Sequence, residues 1–178
     1  MANELLQNPS AWLSTLSGSA QNKIGFNVLD WVNKSTGGQN PPPGANKQET
    51  SPNDFVGYLK NGVQLCKLAN FLQPGAIGGI NEQAQTPEAS SSNINKFLGF
   101  AKNIAGIGGG NLFQPSDLSS PKGVPAILGT LLNLGTNAGQ NFGKSGLNVN
   151  TLLSLAAASQ GGAGGIVSQI FGRCCGKK

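Results

Sequence analysis

The sequence predicts an all-α protein built as a helical bundle, and three observations carry this prediction. The stretch from Asp54 to Gly75 has an apolar stripe too wide for a helix that is exposed on one side. Apolar residues also recur at helical spacing in three further segments, 21–36, 93–106 and 120–135. Glycine- and proline-rich breaks separate these segments. We therefore expect about four main helices and several short ones around one core.

The N-terminal segment, residues 1–19, places Trp12, Leu13 and Leu16 on one side of a short helix. Two interpretations stay open for it, a turn that covers an edge of the core and a partner-binding segment. The first domain helix follows over 21–36, with Ile24, Val28, Trp31 and Val32 at near-helical spacing.

Residues 37–53 have too little apolar content to pack, which predicts an exposed loop that acts as a spacer. Its three consecutive prolines, 41–43, are locally extended, and such segments can also dock on aromatic grooves.

The central stretch is predicted to break at Asn61-Gly62, because that dipeptide favours a turn, and to end at Pro74-Gly75. Its buried stripe comprises Leu65, Leu68, Ala69 and Leu72. Cys66 lies within this apolar helix, and we assign no chemistry to it.

An irregular connection over 76–91 leads to the next helix, for which Ser90, Ser91 or Ser92 is the predicted cap. Lys96 and Lys102 fall outside the apolar stripe of that helix, as a solvated face or as a contact for an acidic partner. The last helix of the bundle is predicted to begin at Ser120-Pro121. Residues 138–178 form a glycine-rich C-terminal tail outside the bundle.

Charge and composition exclude several classes of function. The net charge is +5, but residues 1–137 are nearly balanced and the excess lies in the tail, so we expect no nucleic-acid partner. The chain has no histidine, its seven carboxylates are scattered, and no phosphate-binding glycine motif opens a helix. These features predict no enzyme, no cofactor and no metal site.

The three cysteines do not form a disulfide framework, which favours a reducing cytosol. The sequence contains no apolar run long enough to span a membrane, and its start lacks the pattern of a secretory signal.

The central motif F-x-x-x-L-K-N-G-V-x-L-C-x-L-x-N-x-L-Q-P-G, from Phe55 to Gly75, resembles the central helix of a calponin homology domain. Trp31-Val32, the helix from Asn93 to Phe100 and Asp117-Leu118 fit the same family in order. The resemblance covers residues 20–137 and is greatest for the single-domain calponin and transgelin type.

The resemblance implies an adaptor of the actin cytoskeleton that binds actin filaments or actin-associated signalling proteins. In tandem domains of this family the outer face of the first helix contributes to actin binding, which makes Lys23, Asn27 and Lys34 candidate contacts. The alternative is a signalling scaffold that binds kinases or GTPase regulators without filament contact. Lys96 and Lys102 are further candidate contacts, for actin or for another acidic partner.

The C-terminus suggests a reversible membrane anchor. Cys174 and Cys175 are adjacent, Arg173, Lys177 and Lys178 flank them, and Val167, Ile170 and Phe171 share one helical face before them. Acylation of both cysteines would hold the protein at the cell cortex, on the inner face of the plasma membrane. A disordered tail with incidental cysteines, or a metal or redox pair, are the alternatives.

Overall fold

The computed structural model of the chain describes residues 9–38, 41–83, 85–108 and 112–159. Within these ranges the chain forms helices, turns and loops and no β-strand, which confirms the predicted all-α class. The α-helices are α1 (Pro9–Ser14), α2 (Gly18–Ser35), α3 (Pro52–Leu59), α4 (Val63–Leu72), α5 (Pro87–Asn103), α6 (Val124–Thr136), α7 (Ala138–Phe142) and α8 (Val149–Ser159). Two 3-10 turns, Pro115–Ser119 and Pro121–Gly123, precede α6.

Helix α4 is central to the core, as the sequence predicts. Leu65, Leu68 and Ala69 are fully buried, and α5 packs closely along it. The break before α4 requires a glycine, because Gly62 has a φ of +75°. A Cβ atom there would lie 2.6 Å from the Cβ of Asn93. The turn at Gly62 therefore allows α3, α4 and α5 to approach one another.

A fully buried asparagine joins this region together. Asn93 Nδ2 donates to the carbonyl oxygens of Asn61 and Asn81, at 3.0 Å each. The backbone N–H of Asn81 donates to Asn93 Oδ1 at 2.9 Å. Because both the nitrogen and the oxygen of its side-chain amide are hydrogen-bonded, Asn93 fixes the connection between α4 and α5 without leaving a buried polar atom of its own unpaired.

Helix α5 begins earlier than the sequence predicts. Its cap is Thr86, whose hydroxyl oxygen accepts a hydrogen bond from the backbone N–H of Ala89 at 3.1 Å, and Pro87 occupies the first turn. Proline at this position costs no hydrogen bond, so Thr86-Pro87 starts the helix before Ser90 is reached. The predicted serine caps therefore lie inside the helix.

The N-terminal helix covers the core, as the first of its two interpretations predicts. Trp12 and Leu13 are fully buried, and α1 packs against α6. Gln21 of α2 ties this helix down, because its Nε2 donates to the carbonyl oxygen of Leu13 at 2.9 Å.

The loop before α3 is less free than predicted. Thr50 is buried, its N–H donates to the carbonyl oxygen of Asn22, and its hydroxyl donates to that of Pro43. Gly44 has a φ of +89° and contacts Glu49 so closely that a Cβ would clash. The apolar pattern could not reveal this anchor, because it consists of hydrogen bonds from the N–H and hydroxyl of one threonine to backbone carbonyl groups.

The chain continues to pack beyond the predicted end of the bundle. We expected residues from 138 onward to lie outside it, but Ala138, Leu147, Leu152 and Ala156 are buried in the same core. Helix α8 lies against α2. The reason is that the leucine and alanine face of α8, with Leu152 and Ala156, packs against α2.

Candidate functional site

A groove lies beside the first long helix and is named here the α2 groove. It has a volume of about 500 Å³. Asn27, Asp30, Trp31, Lys34 and Ser35 of α2 line one side, with Phe71 and residues 145–148 and 151 completing it. Asn27, Asp30, Trp31 and Lys34 share one side of α2 because they are spaced three or four residues apart. The opposite side, with Ile24, Val28 and Val32, lies in the core.

The charges of the α2 groove partly cancel. Lys34 Nζ lies 2.8 Å from a carboxylate oxygen of Asp30, one helical turn away. The Lys34 side chain is 75% exposed and that of Asp30 31%. Such an exposed pair contributes little to stability, so Lys34 remains available to a partner.

A tyrosine next to the groove is held in its neutral form. Tyr58 donates from its hydroxyl to Asn33 Oδ1 at 3.2 Å. Burial and, to a smaller extent, the negative charge of Asp30 raise the pKa of Tyr58. Its contribution here is therefore a hydrogen bond that fixes Asn33 and not a charge.

The far wall of the groove belongs to residues 143–148, which we call the strap, and residues 145–148 of it line the groove. Trp31 Nε1 donates to the carbonyl oxygen of Ser145 at 2.9 Å, and the N–H of Leu147 donates to that of Gly135, also at 2.9 Å. A Cβ on Gly146 would lie 2.1 Å from the carbonyl oxygen of Gly135. The strap can therefore lie this close to α6 only because Gly146 has no side chain.

A second groove, the α5 groove, lies between α5 and residues 76–78, with a volume of about 340 Å³. Phe100 and Ile104 line it, and Ile104 is a large apolar side chain with 44% of its surface exposed. Lys96 lines the same groove, and its Nζ donates to the carbonyl oxygen of Gly79 at 2.6 Å. The α5 groove is thus apolar with one cation at its edge.

Comparison with known proteins identifies the family of this chain. The family model described as Calponin homology (CH) domain matches residues 26–140. The chain belongs to the calponin homology family. No solved structure matches it.

Three curated relatives indicate where the similarity lies. Myophilin of Echinococcus granulosus is 42% identical over 81 residues, 46% of this chain and 42% of that protein. Transgelin of Saccharomyces cerevisiae is 32% identical over 112 residues, 61% of this chain and 51% of that protein. Human Rho guanine nucleotide exchange factor 6 is 35% identical over 118 residues, 66% of this chain and 15% of that protein. The chain therefore spans about half or less of the length of each.

The calponin homology domain brings only some of the predicted contact residues together. Asn27 and Lys34 line the α2 groove, while Lys23 is half-buried on the same helix and is not part of the lining. Lys96 lines the α5 groove, and Lys102 is exposed near the end of α5 outside that lining. Cys174 and Cys175 lie outside the described residues.

Sequence reasoning missed several groove residues. The four-residue spacing of Asp30 and Lys34 was a visible sign of their ion pair. Phe71 and Lys144 gave no such sign, since they meet only in the folded chain, where Lys144 Nζ lies 5.6 Å from the centre of the Phe71 ring. The position of the strap was likewise not readable from its own sequence.

Cys66 is an inert core residue. Its thiol donates to the carbonyl oxygen of Asn93 at 3.1 Å, and burial raises its pKa to about 11 despite the opposing charge of Lys96. A protonated thiol is a poor nucleophile and a poor metal ligand. Among the described residues, no three His, Cys, Asp or Glu side chains form a group that could hold a metal ion. No helix in the described ranges combines the length and apolar character needed to cross a bilayer.

Proposed function

We propose that this protein is an actin-cytoskeleton adaptor that acts by binding and not by catalysis. The observation that carries the proposal is the match of the calponin homology family over residues 26–140. Relatives named myophilin and transgelin support it, since they share this part of the chain. The proposed filament contact is the α2 side with Lys23, Asn27 and Lys34.

The charges of this side define what a filament would meet there. Lys34 extends into solvent, and Asp30 beside it removes part of its positive potential. Lys144 stands over Phe71 at the edge of the α2 groove and adds a further cation. An acidic surface would therefore be attracted weakly and in a salt-dependent way.

Co-sedimentation of the full chain with purified actin filaments tests this contact. Reversing Lys23 and Lys34 together to glutamate should weaken binding about tenfold, which corresponds to about 1.4 kcal/mol. Raising the salt concentration should weaken wild-type binding as well. The matched control reverses Lys47 and Lys60, which lie on other parts of the surface and change the net charge equally. Equal binding by both double variants would refute the α2 contact.

The alternative function is a signalling scaffold for kinases or GTPase regulators, with no filament contact. The α5 groove supports it, because exposed Ile104 lies there with Lys96 in the lining and Lys102 nearby. Similarity to Rho guanine nucleotide exchange factor 6 is consistent with it. If wild-type chain fails to sediment with filaments at low salt, the scaffold is favoured. Its partner should then be lost from Ile104→Asp but retained by the double variant of Lys47 and Lys60.

We also propose that acyl chains on Cys174 and Cys175 hold the protein at the cell cortex. Support comes from the sequence, which places Arg173, Lys177 and Lys178 next to the two cysteines. Two acyl chains, or one together with basic residues, give stable membrane attachment, whereas a single chain does not. Replacing both cysteines with serine should move the protein to the soluble fraction and abolish hydroxylamine-sensitive acyl labelling. An unlabelled wild type that fractionates like the variant would end this proposal.

A further inference from the structure

Three hydroxyl residues in this chain are followed directly by proline: Ser51, Thr86 and Ser120. All three have extended backbone angles and cap the helix or turn that begins with the proline. A hydroxyl residue followed by proline is the minimal motif of proline-directed protein kinases. Proline is distinguished from the other residues at this position because it has no backbone N–H. By sequence the three acceptors are equivalent. The fold makes them different.

Ser51 is preceded by a tethered segment. Thr50 is buried and bonded to the carbonyl oxygens of Asn22 and Pro43, at 3.0 Å and 2.7 Å. The N–H of Glu49 donates to the carbonyl oxygen of Gly44 at 3.2 Å. A kinase binds several residues on either side of its acceptor in extended form, so Ser51 would require this loop to detach first.

Ser120 lies between two 3-10 turns, Pro115–Ser119 and Pro121–Gly123. Leu118 is buried just before it, and Ser120 itself is only partly exposed. Its hydroxyl accepts a hydrogen bond from the N–H of Lys122 at 3.3 Å. The residues before Ser120 cannot be drawn into a kinase cleft without removing Leu118 from the core.

Thr86 is presented differently. It is exposed, and so are its described neighbours Glu82, Gln83, Gln85 and Pro87. Among the described residues before it, the nearest core attachment is Asn81, which is hydrogen-bonded to Asn93. Glu82 contributes an ion pair with Lys67 at 3.5 Å, but the Glu82 side chain is 68% exposed. All three acceptors directly precede a helix or 3-10 turn, so they do not differ on that side. They differ in the residues before the acceptor, and the described residues before Thr86 can enter a kinase cleft without disturbing the core.

We propose that Thr86 is a phosphorylation site for a proline-directed protein kinase. The kinase would transfer the γ-phosphoryl group of a nucleoside triphosphate to Thr86 Oγ1. A bond forms between the γ-phosphorus and Oγ1, and the bond to the β,γ-bridging oxygen breaks. The hydroxyl proton passes to a carboxylate of the kinase, and the nucleoside diphosphate leaves.

The phosphate would change the charge of a defined part of the surface. It adds roughly −1.5 to −2 charges at neutral pH. Lys60, Ser90 and Ser91 line a hollow with Thr86, so the added charge would lie near Lys60. The modification would add negative charge to a hollow in which Lys60 is the charged residue of the described lining.

The test uses the purified full chain, a purified proline-directed kinase and Mg-ATP, with the phosphate located by fragmentation mass spectrometry. The rate at each acceptor is divided by the rate for a synthetic peptide of the same sequence, residues 46–56, 81–91 or 115–125. This ratio removes the effect of flanking sequence and leaves the effect of the fold. Thr86 should give the highest ratio, while the ratios for Ser51 and Ser120 should be at least about tenfold lower, because these two also require the segment before the acceptor to open.

Two variants keep the cap of α5 and separate recognition from folding. Thr86→Ser retains the hydroxyl and should still be modified. Pro87→Ala retains the acceptor but removes the recognised proline, and it should lose the modification. A ratio for Thr86 as low as those for Ser51 and Ser120 would overturn the proposal, and so would an unmodified Thr86 peptide or unchanged phosphorylation of Pro87→Ala.

Discussion

The contact between α4 and α5 and the contact between α2 and α8 both bury apolar side chains in one core, but they are built differently. Between α4 and α5, large residues such as Leu68 and Phe97 are fully buried. Asn93 adds hydrogen bonds to two carbonyl groups on neighbouring segments. Apolar burial and a satisfied polar network therefore act together at this contact.

Among the side chains that the structure describes, α8 contributes fewer fully buried ones to its contact than α4 and α5 contribute to theirs. Leu152 and Ala156 are its fully buried residues, and residues 145–159 contain no charged side chain. The bond from Trp31 to Ser145 holds the strap that leads into the helix. Because an isolated helix of this length is marginal in water, α8 depends on its packing against α2.

The difference indicates how opening should be distributed in this protein. Local stability follows the number of buried apolar contacts and protected hydrogen bonds. We therefore expect α8 to separate from α2 at a lower free energy than α4 separates from α5. The α2 groove, whose far wall is the strap, would then change shape without unfolding of the bundle.

Leu68→Ala should give the largest loss, about 2–5 kcal/mol of unfolding free energy, because it leaves a cavity at the centre of the core. Urea unfolding measures the change. Lys67→Ala, on the same helix, should stay within about 0.5 kcal/mol, because its ion pair with Glu82 is exposed. If Leu68→Ala costs less than Lys67→Ala, α4 is not the centre of the core.

Asn93→Ala should cost about 2–3 kcal/mol, because it removes the three hydrogen bonds of a fully buried side-chain amide. The matched control is Asn95→Ala, at an exposed position of α5, which should have little effect. Equal stability of the two variants in urea unfolding would show that the asparagine network is dispensable.

Leu152→Ala should cost about 2 kcal/mol, at the lower end of the range for buried leucine, because α8 borders a groove that can relax. In this variant, amide hydrogen exchange should be faster than in the wild type in α8, with little change in α4. Ser154→Ala, on the exposed side of the same helix, should leave exchange unchanged. Uniform faster exchange across all helices would contradict the proposed difference between the two contacts.

Alkaline pH should cause the smallest of these losses of unfolding free energy, and it acts at the contact between α4 and α5. Burial raises the pKa of Cys66 to about 11, so the unfolded chain loses this thiol proton at a lower pH than the folded chain does. The folded state binds more protons in this interval, and stability therefore falls as pH rises from about 9 towards 11. Cys66→Ala should flatten part of this decline in urea unfolding at a series of pH values.

Tyr58→Phe serves as the comparison for the pH series. Its pKa is also raised, so this variant should remove a further part of the decline at higher pH. Neither variant should change the pH dependence between pH 6 and 8. A wild-type stability that is constant up to pH 11 would contradict the raised pKa of Cys66.

The fold was largely predictable from sequence, because the buried residues of a helical bundle recur at helical spacing within each segment. The stripe of α4 and the break at Gly62 were both predicted and are both present. The start of α5 was misplaced, since Thr86-Pro87 and the following serines are all acceptable caps by residue type. Which of several suitable cap residues starts a helix depends on the contacts that its first turn makes in the folded protein.

The sequence by itself determined that this chain is helical, which face of each main helix is buried, and where the main breaks fall. Only the tertiary structure decided which faces meet. It placed the strap against Trp31 and Lys144 over Phe71. It also placed the hydroxyl of Thr50 against the carbonyl oxygen of Pro43, within the loop before α3. The physical reason is that apolar spacing records that a face must be buried but not the partner that buries it. That partner depends on contacts between residues far apart in the chain, such as Trp31 and Ser145. These contacts form only when the whole core packs.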